Sequence, residues 1–241
     1  MKVLILSAGL GTRLKPLTDT MPKALVPIGG KPLLEHTIHR LIKCGAQEIV
    51  VNVHHFADQI IEFIKKNDFG VEIKISDESN CLLDTGGGIK KAVSLFVQDD
   101  RPILIHNVDI LSDADLSAFY REHMNDDAAL LVKARKTTRY LLFDRKQNLV
   151  GWQNLLTGEL KSPYEQLDLS ELSSWAFSGI HLISPKMISL MKDFPEKFSI
   201  IDFYLQVCHQ SNIKAVNVPS LRILDVGKIS SLQEAEEFLS V

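Results

Sequence analysis

Hydrophobic positions recur with two periods along the chain. Val3-Leu4-Ile5-Leu6 is an unbroken apolar run, the pattern of a strand buried on both faces. A polar loop with Gly and Pro follows from residue 9 to residue 30. Leu34, Ile38, Leu41 and Ile42 then repeat at helical spacing after Pro32, which suits a first helical turn. Ile49-Val50-Val51-Asn52-Val53 predicts the next strand. Ile60, Ile61 and Ile64 mark a helix, and Val71, Ile73 and Ile75 alternate like a strand. Thr85-Gly86-Gly87-Gly88 predicts a glycine turn leading into a short helix with Ile89, Ala92, Val93 and Phe96. Ile103-Leu104-Ile105 predicts a buried strand ending in His106-Asn107-Val108-Asp109. Strand alternating with helix points to βαβ units and an α/β fold with a largely parallel sheet.

The second half is less regular. Residues 129–132, 140–143 and 175–183 predict strands, and residues 148–160 predict a hairpin with turns at Gly151 and Gly158. Helical patterns cover residues 187–191, 200–208 and 231–239. No repeat, low-complexity tract or linker breaks the chain, so residues 1–241 are expected to form a single domain. Residues 1–127 and residues 128–241 are read as its two halves, and the alternation fails over residues 128–182.

Composition narrows the partners. The 241 residues are 45% hydrophobic and 24% charged, ordinary for a globular chain. The net charge of −3 supplies no broad field for nucleic acid or anionic lipid, so neither is expected as a partner and any phosphate site must be local. Cys44, Cys81 and Cys208 are odd in number and lack metal spacing, which predicts a reduced, cytoplasmic setting. The first apolar run is too short for a signal peptide. Oligomeric state is not legible.

The chemistry begins with Ala8-Gly9-Leu10-Gly11-Thr12-Arg13-Leu14, directly after the first strand. Glycines let backbone amides approach an anion, and Arg13 and Lys23 could add positive charge to a polyphosphate cradle. A bare structural turn explains a glycine pair equally well. A dinucleotide fingerprint fits poorly, because Leu14 stands where its third glycine belongs. A Walker loop is excluded, since no Gly-Lys-Ser or Gly-Lys-Thr follows.

The longer stretch decides among these. Gly9-Leu10-Gly11-Thr12-Arg13-Leu14-Lys15-Pro16-Leu17-Thr18, then Pro22-Lys23-Ala24-Leu25-Val26-Pro27-Ile28, resembles the signature of the sugar-1-phosphate nucleotidyltransferases. Leu83-Asp84-Thr85-Gly86-Gly87-Gly88 is similar to that family's base-recognition turn, and its form looks closer to members that uridylylate N-acetylmuramate 1-phosphate. Trp175-Ala176-Phe177-Ser178-Gly179-Ile180 resembles the sugar-contacting strand, and Leu224-Asp225-Val226-Gly227 the late metal-binding strand end. The resemblance implies a Rossmann-like three-layer αβα nucleotidyltransferase fold with a mixed, mostly parallel central sheet. It implies an enzyme joining a sugar 1-phosphate to a nucleoside triphosphate, with Mg²⁺, and releasing pyrophosphate, with residues 1–127 as the nucleotide-binding half, residues 128–241 as the sugar-binding and metal-completing half, and residues 128–182 as the sugar-facing layer.

By the same resemblance Ala8, Gly9, Gly11, Thr12 and Arg13 hold the triphosphate, and Thr85, Gly86 and Gly87 read the base. Arg13 and Lys23 are the catalytic cations, Ser178 and Gly179 touch the sugar, and Asp109 and Asp225 bind metal. UTP with N-acetylmuramate 1-phosphate is the leading substrate pair. GTP with mannose or heptose 1-phosphate, or a nucleotide-sugar sensor without turnover, are the alternatives. Two departures stand out. Val108 replaces the glycine usual before the first aspartate, and a β-branched residue resists positive φ. The family's Glu-Lys-Pro sugar motif is also missing.

Other residues carry blander readings. His54 and His55 could line a base pocket but read first as a loop pair, and His36 and His39 as surface residues. Lys133, Arg135, Lys136 and Arg139 form a basic run that could attract the sugar phosphate, or simply a solvated edge. Trp152 and Trp175 could stack on a sugar or fill core.

Overall fold

A computed structural model of the chain describes residues 1–240. The first half consists of β1 (Lys2–Leu6), a short ribbon of β2 (Pro27–Ile28) and β3 (Lys31–Pro32), α1 (Leu33–Lys43), β4 (Glu48–Val53), α2 (Ala57–Lys66), β5 (Ile73–Asp77), α3 (Asp84–Ala92), β6 (Ile103–Asn107), β7 (Ile110–Ser112) and α4 (Leu116–His123). The second half consists of β8 (Ala128–Lys133), β9 (Arg139–Phe143), β10 (Leu149–Asn154), β11 (Glu159–Lys161), β12 (Ser173–Ile183), α5 (Pro185–Leu190), α6 (Ile200–Val207), β13 (Ile213–Asn217), β14 (Ile223–Asp225) and α7 (Ser231–Leu239).

The central sheet runs β5-β4-β1-β6-β12-β8-β13. Pairing is parallel for β1 with β4 and β6, β4 with β5, and β8 with β13. Only β12 runs against its neighbours β6 and β8, so the sheet is mixed and mostly parallel, as expected. Alternate side chains of β1 explain its unbroken apolar run. Val3 and Ile5 pack with Leu34, Ile38 and Leu41 of α1 and Ile60 of α2 on one face. Leu4 packs with Ile89 and Ala92 of α3 and Phe203 and Tyr204 of α6 on the other. Helices on both faces make the three layers.

The irregular stretch of the second half has a structural cause. β12 is long and serves two sheets. Its start pairs with β9, extending into β10 and β11, and its end pairs with β6 and β8, with a register shift between Phe177 and His181. A strand shared in this way loses the simple period of a single layer. Gly151 is not a turn. It lies inside β10 at a register shift, where an added Cβ would sit 3.1 Å from the Lys161 carbonyl oxygen. The hairpin turns at residues 155–158. Pro32 precedes α1 as its cap residue, and the glycines of Gly86-Gly87-Gly88 belong to α3 itself.

A third, smaller core bears on function. Leu14, Val26, Ile28 and Leu33 from the early loop region pack with Leu111 of β7 and Val226 and Ala235 near the C-terminus. The last helix of the described chain thus closes over the first loop. Among the described residues no helix is long and apolar enough to cross a membrane.

Two buried histidines set an acid limit on this fold. His106 in β6 is held neutral chiefly by burial, its pKa pushed down to about 4, and its Nδ1 lies 2.8 Å from the Asn107 carbonyl oxygen. His181 in β12 pairs with the Tyr204 hydroxyl at 2.6 Å, and burial pushes its pKa down to about 3. The unfolded chain binds these protons near the ordinary value of about 6.5 and the folded chain does not. Stability is therefore intact above that value and falls as pH drops below it, by about 2 kcal/mol per histidine at about pH 5. Denaturant titrations at stepped pH should show this loss, and His181→Phe should flatten its share of the slope.

Candidate active site

A cleft of about 570 Å³ opens at the carboxyl ends of β1 and β6, where open α/β sheets hold their ligands. Its floor is the loop after β1. Gly11 adopts φ +64, and an added Cβ there would meet Thr18 Cγ2 at 2.9 Å and Lys23 Cβ at 3.0 Å. Glycine is required at this point by the fold itself. Gly9 differs, since nothing lies within 4 Å of an added Cβ. The amides of residues 9–13 have no protein acceptor among the described residues, while the Ser7 and Ala8 amides both donate to Asn52 Oδ1. A run of unpaired amides above the third core is an anion-binding concavity.

The cations face this loop. Lys23 is buried beneath Gly11 and forms an ion pair with Asp109. Arg13 is exposed, and its guanidinium approaches Gly227, where an added Cβ would lie 2.8 Å from Nη2 and 2.7 Å from Asp225 Oδ1. β14 pairs with β7 so that Asp225 stands opposite Ile110, and the Val226 amide donates to the Asp109 carbonyl at 2.8 Å. Two aspartates far apart in sequence are thereby held on adjacent backbone. Asp225 Oδ1 is buried with no hydrogen-bond partner among the described residues.

Of the residues singled out in the sequence, Ala8, Gly9, Gly11, Thr12, Arg13, Lys23, Thr85 and Asp109 line the cleft. Asp225 does not line it, although its neighbour Gly227 does. Gly86 and Gly87 are not on the cleft. They are buried, their amides donate to the Phe198 carbonyl at 2.9 and 3.2 Å, and added Cβ atoms would strike Phe198 at 2.3 Å and the Glu196 carbonyl at 2.1 Å. Their small size lets residues 196–198 cross against α3. Ser178 and Gly179 do not line it either. Ser178 Oγ is buried without a partner, and Gly179, at φ +74, packs on the Asn107 side chain, which does line the cleft.

Several lining residues escaped the sequence reading. Asn52 and Lys197 belong to the cleft. Asn52 interrupts an apolar strand, and that interruption was the available signal; an exposed lysine such as Lys197 leaves none. Asp84 also lines the cleft and adopts φ +61, an uncommon conformation for a non-glycine residue, with its carboxylate accepting from the Thr85 amide at 2.6 Å. Val108, by contrast, has no positive φ. Its amide donates to the Leu6 carbonyl at 3.0 Å and its side chain joins the core, so valine fits without backbone strain. His54 Nδ1 lies 2.7 Å from the Glu78 carbonyl oxygen and His36 Nε2 2.9 Å from that of Ile28; neither histidine lines the cleft.

Comparison with known proteins places this geometry. The family model described as "Nucleotidyl transferase" matches residues 2–240. An N-acetylmuramate alpha-1-phosphate uridylyltransferase of Caulobacter vibrioides is 31% identical, with 88% of this chain and 86% of that protein covered. A mannose-1-phosphate guanyltransferase of Yarrowia lipolytica is 30% identical over 79% of this chain, and the match spans about half (51%) of that protein. The crystal structure of HddC from Yersinia pseudotuberculosis complexed with GMP-PN superposes with a TM-score of 0.77 at 25% identity, covering 99% of both chains. The chain belongs to the nucleotidyl transferase family, and its enzyme class is the one its motifs implied, a sugar-1-phosphate nucleotidyltransferase.

The two loop glycines give a direct test. Gly9→Ala should leave the unfolding midpoint within about 0.5 kcal/mol of wild type, because its surroundings are open. It should weaken triphosphate binding at least about tenfold in calorimetry, because the methyl enters the anion's space. Gly11→Ala should instead destabilise by about 1 to 3 kcal/mol in denaturant titration through its backbone and contacts.

Proposed function

We propose that this enzyme transfers a uridylyl group from UTP to N-acetylmuramate 1-phosphate, with Mg²⁺, giving the nucleotide sugar and pyrophosphate. The observation that carries the reading is the cleft itself, in which unpaired amides, Lys23, Arg13 and Asp109 converge on one small volume. The choice of base and sugar rests on the Caulobacter vibrioides relative, whose likeness runs along nearly the whole of both chains. Guanylyl transfer is the second reading, favoured by the HddC structure with its guanine nucleotide.

A sugar 1-phosphate is already an ionised nucleophile, so the protein's task is to align two polyanions and stabilise charge at the α-phosphorus. One acceptor phosphate oxygen forms the new P–O bond in line with departure of the β-phosphate oxygen, which leaves with the pyrophosphate. The amides of Gly9, Gly11 and Thr12 hold the triphosphate, with Ala8 at the loop's root, and Arg13 stands beside the leaving pyrophosphate. Lys23 lowers the repulsion between the two phosphate groups. Thr85 borders the base, while Gly86 and Gly87 act indirectly by letting α3 seat against residues 196–198. Ser178 and Gly179 form the back of the acceptor side.

The donor set fits a hard divalent ion. Among the described residues no group of three or more His, Cys, Asp or Glu side chains could hold a metal. Asp109 and Asp225 on neighbouring backbone, one with an orphaned buried oxygen, suit Mg²⁺, which takes one or two carboxylates and completes its shell with phosphate and water. Such an ion would neutralise developing charge on the phosphates.

Lys23→Ala and Asp109→Ala should each lower kcat at least about a hundredfold, measured by pyrophosphate release. Asp225→Asn should raise the Mg²⁺ concentration needed for half-activity at least about tenfold, since one ligand charge is lost. Near-normal turnover in the first two variants would defeat the assigned roles. A panel of four triphosphates against several sugar 1-phosphates tests the substrate pair, and GTP with mannose 1-phosphate as the productive combination would favour the second reading.

A further inference from the structure

A second cleft, of about 510 Å³, lies beside the first. One wall is a face of the β10-β9-β12 sheet. Register places Lys161, Trp152, Leu141 and Trp175 in one row across the strands, and Glu159, Asn154 and Arg139 in the next. Residues paired directly across neighbouring strands share a face. The opposite wall is the start of α6, with Ser199, Ile201 and Asp202. The partition between the clefts is thin. Thr85, which lines the first, accepts a hydrogen bond at 2.9 Å from the Ile200 amide, whose neighbours Ser199 and Ile201 line the second. Phe177 lines the second cleft two residues before Gly179, which packs on Asn107 of the first.

The charges in this cleft do not cancel. Lys161 lies over the Trp152 ring at 5.3 Å and bridges Asp202 at 3.2 Å and Glu159 at 3.7 Å, engaging both carboxylates that line the cleft. Arg135 and Arg139 line the same cleft, and neither has a carboxylate partner among the described residues. Arg135 makes one long contact, 3.4 Å to the Phe177 carbonyl oxygen. In a chain of net charge −3, two unmatched guanidiniums beside an aromatic platform form a local site for a planar anion.

We propose that Arg135 and Arg139 recognise a carboxylate carried by the sugar acceptor, so that the second cleft selects an acidic sugar 1-phosphate over a neutral one. The inference rests on the transfer reading above and deepens it. The reacting phosphate belongs to the first cleft, whose cations are Lys23, Arg13 and Lys197, so the second pair of cations addresses a different group on the same acceptor. N-Acetylmuramate has such a group in its lactyl ether. Mannose and N-acetylglucosamine do not.

The test compares N-acetylmuramate 1-phosphate with N-acetylglucosamine 1-phosphate, which lacks only the lactyl ether, at saturating UTP. Wild type should prefer the acidic acceptor by at least about tenfold in kcat/KM, as expected when a charged site is left unpaired by the neutral analogue. R139Q and R135Q should each reduce that ratio at least about fivefold, mainly through KM of the acidic acceptor, and Arg139→Lys should restore part of it. Both arginines are exposed, and the unfolding midpoints should stay near that of wild type. Equal use of the two acceptors by wild type, or a ratio unchanged in both Gln variants, overturns the proposal and leaves nucleotidyl transfer standing. Transfer to neither acceptor defeats the substrate reading and the proposal together.

Discussion

Everything in the candidate site depends on keeping a run of backbone amides unpaired. Amides of a folded chain find acceptors in helices, strands or turns, and an unpaired stretch is stable only in contact with water or an anion. In this chain the loop cannot close on itself because its ends are fixed elsewhere. Asn52 Oδ1 takes the amides of Ser7 and Ala8, and the Gly11 carbonyl accepts from the Leu14 amide and the Thr18 hydroxyl. What lies between is left to face the cleft. The buried Lys23 stem fills the space beneath Gly11, so the same residue that shapes the loop also brings positive charge to it.

That arrangement explains why the chain's two ends meet. The loop from residue 9 to residue 30 holds only short 3₁₀ turns and a two-residue ribbon, and it cannot bury its own Leu14, Val26 and Ile28. Leu111, Val226 and Ala235 supply the missing surface. Burying such side chains is worth roughly 1.5 to 3 kcal/mol each, enough to order a loop that has little regular hydrogen bonding. The same contact sets Asp225 on the backbone next to Asp109. The apolar packing of the loop and the pairing of the two carboxylates are therefore one structural event.

The layered fold was legible because β1, β4 and β6 are buried on both faces and read as mainly apolar runs, with amphipathic helices between them. The loop and both aspartates stood out only through the resemblance to a long signature, since a glycine pair or a lone aspartate after a strand reads equally well as a turn. Three features were hidden for physical reasons. Gly86 and Gly87 look like ligand-approach glycines, yet the close neighbour is the chain's own segment at residues 196–198, and sequence does not say which backbone comes near. Gly151 looks like a turn because a glycine at a register shift and a glycine in a turn leave the same mark. The second cleft was visible only in parts. The basic run and Trp152 are separate in sequence, and pairing of β9 with β10 brings Arg139 and Trp152 onto one face.

Asn52 carries the remaining logic of the site. It is a polar residue inside the apolar run of β4, and it is almost fully buried. Its oxygen holds the start of the loop after β1, and its Nδ2 donates to Glu78 Oε1 at 2.8 Å. The other oxygen of Glu78 accepts from the Leu83 amide at 3.2 Å, at the entrance to α3. Gly88 packs on this pair, where an added Cβ would lie 2.8 Å from Glu78 Oε1 and 3.0 Å from Asn52 Nδ2. Only an amide satisfies both sides. Aspartate would set a second buried carboxylate against Glu78, and leucine would leave Glu78 Oε1 and the Ser7 and Ala8 amides without their partner, each orphaned group costing about 1 to 3 kcal/mol. The loop after β1 and the start of α3, which both border the cleft, are consequently tied through one side chain.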